Sequence, residues 1–245
     1  MKIRESHRET CRRAWKRLGQ PGTWWSATDR VALVRATREA RQCTLCRQRK
    51  GALSPKFVSG NHETSTTLPS GAVEAVHRLI TDPGRLTEKW YLEILASGLT
   101  PNQYVELVGV VALATVVDTF ALAVGTIPPR LPTVSKGEPT HIEPPGALVQ
   151  NAWVPTLSPD RLPPDLKELY GNLPSSLPPS LQSNEIVPEQ RIGNVMLALS
   201  LVPEEQHAFT LLSSVELYRH ANRLLTDDQR EFVASITSNH NHCFY

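Results

Sequence analysis

The chain has 245 residues, of which 40% are hydrophobic and 20% charged, with a formal net charge of +2. Those figures exclude a wholly disordered chain and a polyanion binder by bulk charge, and they leave room for one large domain or two of ordinary size. No run reaches the roughly 18 uninterrupted apolar residues of a membrane span, because the longest candidate, 107–124, is broken by Thr115, Asp118 and Thr119.

The first half reads as helical throughout. An arginine-rich amphipathic stretch over 3–18 stops at Gly19, with Pro21-Gly22 behind it. Its cations Lys2, Arg4, Arg8, Arg12, Arg13, Lys16 and Arg17 alternate with Glu5 and Glu9 and read as a solvated face, not as a nucleic-acid or membrane surface. No secretory apolar run accompanies them. Trp24 and Trp25 read as staple or core residues, and Ser26 caps a helix running through Val31, Leu33 and Val34 toward Cys43-Thr44-Leu45-Cys46. Further helices are predicted over 71–81, 87–96 and 101–124, the last opened by Thr100-Pro101 and closed by Gly125. Its continuous hydrophobicity predicts burial between other helices or across a subunit interface, with Glu106 and Asp118 as buried acids paired with arginines.

Over 127–188 the composition changes, since most of the 20 prolines fall there. Such a segment holds no long helix and reads as linking or wrapping structure, with Trp153 and Val154 packed on a domain. Helices return over 191–201 and 203–222, and again from Thr226, a cap followed by Asp227 and Asp228 in the first turn.

Four cysteines in a chain of this length, two of them spaced Cys43-x-x-Cys46, do not make a secreted disulfide scaffold. They fit a reducing cytoplasm in which a dithiol has a job. The last helix carries Glu231 and, after eleven residues, Cys243-Phe244-Tyr245. This stretch resembles the active-site segment of the alkylhydroperoxidase D-like proteins of the carboxymuconolactone decarboxylase superfamily, in which Glu, eleven residues, Cys-x-x-Cys, three residues and His follow one another. A chain stopping one residue short of the second cysteine resembles a selenoprotein member cut at its selenocysteine codon.

The resemblance implies an all-α protein of two divergent units: 1–126 with a degenerate Cys-x-x-Cys, the Pro-rich segment 127–188, and 189–245 as the front half of a second unit. It implies reduction of peroxides through a dithiol, or selenol and thiol, cycle fed by a thiol donor, in a homo-oligomer; from composition and hydropathy no nucleic-acid or membrane partner is expected. Carried to this chain, Cys46 would attack and Cys43 resolve, while Glu231 and Cys243 would belong to the second copy. In the first copy the Glu position holds Val31 and the His position Lys50, which removes the proton relay. Glu39 and His62 are the nearby substitutes, and each reads more readily as a surface residue.

No haem, flavin or nicotinamide motif occurs, so no cofactor is expected. A Cys-x-x-Cys is also half of a zinc site, which Cys11, His62 or a second chain would complete. No tightly spaced second pair lies near it, so the redox dithiol is the stronger reading and no metal is assigned. The alternative function is a non-catalytic helical oligomerisation or scaffold domain with a vestigial dithiol.

Overall fold

Helix starts follow local chemistry. In the computed structural model, which describes residues 3–150, 152–171, 197–218 and 224–241, α1 spans Glu5–Leu18 and ends at Gly19. Helix α2 (Ala27–Ala40) begins where the Ser26 hydroxyl accepts from the Asp29 N–H at 3.1 Å. A short α3 (Thr44–Gly51) follows, then α4 (Ser70–Thr81), and α5 (Glu88–Ala96) capped by Thr87. The long α6 (Pro101–Ala123) opens on a reciprocal capping box of Thr100 and Gln103. Beyond the proline-rich stretch come α7 (Pro164–Gly171), α8 (Pro203–Phe209) and α9 (Asp227–His240), the last opening on a second capping box, Thr226 with Gln229. The described residues contain no strand, only an isolated antiparallel bridge between Leu148 and Thr156. The fold is all-α.

Helix α6 is the axis of the core. It packs against α1, α2, α4 and α8 and buries Leu107, Val110, Leu113 and Ala114 almost completely. By length and composition it could cross a membrane, and 61% of its most apolar window is buried inside the protein. A helix apolar on every side belongs in such a surround. Its two buried acids are paired as the sequence predicts. Asp118 accepts a two-pronged contact from Arg38, Nε to Oδ2 at 2.8 Å and Nη2 to Oδ1 at 2.7 Å. Glu106 meets the fully buried Arg30 at 2.6 Å and accepts from the Trp24 N–H at 2.6 Å.

Glu205 of α8 completes that cluster, at 2.6 Å from Arg30 and 2.9 Å from Arg17. The carboxyl of Glu106 is raised above its ordinary range, first by burial and then by the neighbouring Glu205, against the opposing pull of Arg30. Space here is exhausted: a Cβ on Gly22 would sit 1.7 Å from the Glu106 carboxylate and 2.5 Å from Arg30 Nη1. Glycine is needed at this position for close approach.

The proline-rich chain wraps the bundle. Ser135 N–H donates to the Gly19 carbonyl at 2.8 Å and His141 N–H to the Thr23 carbonyl at 2.8 Å, so 127–141 lies along the α1–α2 connection. Val154 is buried in the main core as expected, whereas Trp153 stays 44% exposed. A small second cluster joins Leu157, Leu162, Leu166 and Tyr170 to Leu197.

The described part of 189–245 does not stand apart with a core of its own. Leu199, Leu201, Val202 and Leu212 belong to the same apolar cluster as Leu18, Leu33 and Leu107. Of the helix expected over 191–201, residues 191–196 lie outside the described residues and 198–201 form turns. Helix α8 starts at Pro203 as predicted but changes to π-helical turns over Thr210–Tyr218. There the Ser213 hydroxyl donates to the Phe209 carbonyl at 2.7 Å, and hydroxyl back-bonding of this kind loosens the regular ladder. Residues 219–222 lie outside the described residues.

Candidate metal centre

The Cys-x-x-Cys sits at a turn that the sequence places well. Helix α2 ends at Ala40, and Cys43 is the N-cap of α3, with φ −63 and ψ 126. Cys46 therefore falls in the first turn of α3, and both sulfurs lie near backbone N–H groups and the positive end of the helix. The far end of α3 is held by Arg85, which donates to the carbonyls of Arg49, Lys50 and Ala52 at 3.0, 2.9 and 2.6 Å. The cysteines are 1% and 2% exposed.

Two histidines converge on them. His62 arrives on the loop between α3 and α4, its Nδ1 3.6 Å from Cys43 Sγ and 3.5 Å from Cys46 Sγ. His77, on the buried face of α4, places its Nδ1 3.3 Å from Cys46 Sγ. All four donor atoms lie within 4.8 Å of one another. The imidazole centroids are 4.2 Å apart. A tetrahedral zinc with bonds of about 2.3 Å to sulfur and about 2.0 Å to nitrogen has sulfur-to-nitrogen edges of about 3.5 Å. The three separations here match that edge.

The surroundings orient the ligands. His62 Nε2–H donates to Glu74 Oε2 at 2.7 Å, which turns Nδ1 toward the sulfurs. Arg49 holds the same carboxylate oxygen at 2.8 Å. Glu74 and His77 are one turn apart on α4, so one helix supplies a ligand and the partner of another. Glu39 does not face the thiols. It accepts from Thr64 at 3.1 Å and from the Ser65 N–H and hydroxyl, and so ties the His62 loop to the end of α2. At Gly60 the loop takes φ +152 and a Cβ would come 3.1 Å from Leu45 Cδ1, so the approach to α3 relies on glycine.

In the metal-free protein a proton occupies the place between His62 Nδ1 and the sulfurs, and an ion bound there would displace it. Burial would raise the Cys43 thiol, but the Cys46 backbone N–H, the His62 ring and the Glu63 backbone N–H together bring it below its ordinary value. Burial would lower His62, yet Cys46, Glu74 and Cys43 hold its proton and lift it to about 10. Glu74, despite burial, is held at about 2 by His62 and Arg49. His77 is pushed down to about 4 by burial and by the positive His62, so it stays a neutral donor. Its Nε2 is buried without a partner.

A cleft of about 510 Å³ opens beside His62 and Glu74 and is lined by Trp90, Glu93 and Ser97 across from them. It gives the centre a route to solvent on the His62 side while the sulfurs stay enclosed.

Of the predicted site residues, Cys43 and Cys46 are brought together. Glu231 is not near them: it lies on the exposed α9 and accepts from the Tyr218 hydroxyl at 2.9 Å. Cys243 lies outside the described residues. Cys11, the other sulfur considered for a zinc site, belongs to a different groove. His62 was legible as a candidate, whereas His77 and Glu74 were missed. The only signal for His77 was a lone histidine on the apolar face of a predicted helix, between Val73, Val76 and Ile80.

Glu74→Gln keeps the size of the side chain but weakens its hold on the His62 N–H. The expected result is a 10- to 100-fold loss of zinc affinity in competition with a chromophoric chelator. An unchanged affinity would mean that His62 is oriented by something else.

Comparison with known proteins yields no match: no family model, no curated protein and no solved structure is similar to this chain.

Proposed function

We propose that Cys43, Cys46, His62 and His77 hold a divalent zinc ion, and that this ion fastens α3 and the 58–69 loop onto α4. The observation that carries the reading is the convergence of two thiols and two imidazole Nδ1 atoms to within 4.8 Å in a buried site. A proton relay needs one histidine; a second buried one, with its free nitrogen turned to the same sulfurs, is what a four-coordinate ion requires. Four protein ligands leave no open position, so the ion's part is structural and the function class is a metal-stapled helical scaffold.

Loading the reduced protein with cobalt(II) tests this. One equivalent should produce the intense visible bands of a tetrahedral ion and the near-ultraviolet band of thiolate bonding, and zinc should displace it. Cys46→Ser should lose most of the thiolate band, and His77→Ala should lose tight binding. A weak octahedral spectrum would remove the proposal.

A second reading rests on one specific observation: Glu74, His62 and the two thiols form a carboxylate–imidazole–thiol chain with links of 2.7, 3.5 and 3.6 Å. It supplies from the loop and α4 the Glu and His that Val31 and Lys50 fail to supply. In the metal-free protein this chain is suited to dithiol reduction of a peroxide, with a thiol donor restoring the pair. Peroxide consumption by chelated, reduced protein, abolished by Cys46→Ser, would favour it over the structural ion.

A further inference from the structure

A groove far from the metal centre runs between α1, the C-terminal half of α6 and the segment 126–135, with a volume of about 930 Å³. That is the size range of small-molecule sites, roughly 300–1,000 Å³. Trp15, Val117, Phe120, Ala121 and Leu131 make its walls. The outer wall is fixed by definite bonds: Trp15 Nε1–H donates to the Arg130 carbonyl at 2.8 Å, and Arg38 donates to the Pro129 carbonyl at 2.8 Å. Arg38 also stacks 5.0 Å over the Trp15 ring.

The charged residues that line this groove are all cations. Arg8, Arg12, Lys16 and Arg130 line it and no carboxylate does. Arg12 is engaged by Glu5 and Glu9, while the side chains of Arg8, Lys16 and Arg130 are exposed and form no ion pair among the described residues. Cys11 completes the lining as a neutral, apolar wall, since burial and then Glu216 raise its thiol to about 11.

We propose that this groove binds a free long-chain monocarboxylate, its chain laid along Trp15, Val117 and Phe120 and its headgroup held at the rim by Arg130, Arg8 and Lys16. The apolar walls supply affinity in proportion to chain length and the cations choose the acid over its neutral analogue.

The probe is cis-parinarate, titrated into the full chain below its aggregation threshold and read by its fluorescence. Saturable one-to-one binding is expected. Saturated carboxylates should displace it, each methylene removed weakening competition about fourfold. The alcohol of equal length should compete at least tenfold more weakly. Ala121→Trp, which fills the groove, should reduce binding at least tenfold while cobalt loading is unchanged. The exposed pair Arg130→Glu and Lys16→Glu should do the same without touching the core. Absence of saturation, equal competition by alcohol and acid, binding seen only with phospholipid vesicles, or indifference to both variants would overturn the proposal.

Discussion

Removing the metal from the loaded protein is expected to lower its thermal midpoint by about 8–16 °C. An ion present at a thousand times its dissociation constant stabilises the folded state by about 4 kcal/mol. For a chain of this size each kcal/mol is worth about 2–4 °C. The physical cause is the short α3, only eight residues long, which carries Leu45 as its main apolar anchor. A helix of that length is marginal without tertiary support. With the ion absent, two buried thiols and two buried imidazoles are left to satisfy one another, and the 58–69 loop loses its fixed point. Protons compete for the same four ligands, so the stabilisation falls as pH falls. Circular-dichroism melts with and without a strong chelator, under reducing conditions, measure the effect. A shift below about 2 °C, with metal shown to be lost, would mean that α3 is held by Arg85 and Arg49 alone.

Arg30→Met is expected to cost about 3–5 kcal/mol of unfolding free energy, the range for breaking a buried ion pair by removing one partner. Its guanidinium is wholly buried, with Glu106 and Glu205 each at 2.6 Å. In the variant Glu106 keeps the Trp24 N–H and Glu205 keeps Arg17, but the main countercharge is gone. The Glu106 carboxyl is already raised in the native protein, first by burial and next by Glu205. Without Arg30 it rises further, so the native state of the variant binds a proton that the unfolded state releases. Its stability must therefore decline as pH rises from the unfolded carboxyl range through the raised folded one. The deficit against the parent should shrink in mild acid. Replacing Arg30, Glu106 and Glu205 together by apolar residues of similar size should recover most of the loss. Urea melts at two pH values give both results, and a loss below about 1 kcal/mol would show that the cluster is hydrated.

These two sites differ in how far the amino-acid order exposes them. Glu106 and Asp118 announce themselves, because an acid inside a continuous apolar helix has to be neutralised by a partner. Which arginine answers is invisible, since Arg30 and Arg38 reach α6 from α2 across about eighty residues of chain. The third member, Glu205, comes from the far side of the proline-rich segment, where a separate unit was expected. Leu199, Leu201, Val202 and Leu212 pack into one apolar cluster with Leu18 of α1 and Leu107 of α6.

Caps at Ser26, Thr87, Thr100 and Thr226 are local events between residues three apart, so short-range chemistry settles where α2, α5, α6 and α9 begin. Spacing likewise marks Cys43 and Cys46 as a pair. Their company is a matter of packing: His62 and His77 follow Cys46 by 16 and 31 residues, with no short-range spacing to betray them. They meet the thiols because α4 lies against α2 and α3 and because Glu39 pulls the intervening loop inward. Glu231, placed by motif spacing alone, faces solvent beside Tyr218, since α9 buries none of its residues. Helix propensity and capping act over a few residues and are written in their order along the chain. The chemistry of the thiol pair depends on groups that only the folding of three separate segments, the start of α3, the His62 loop and α4, brings together.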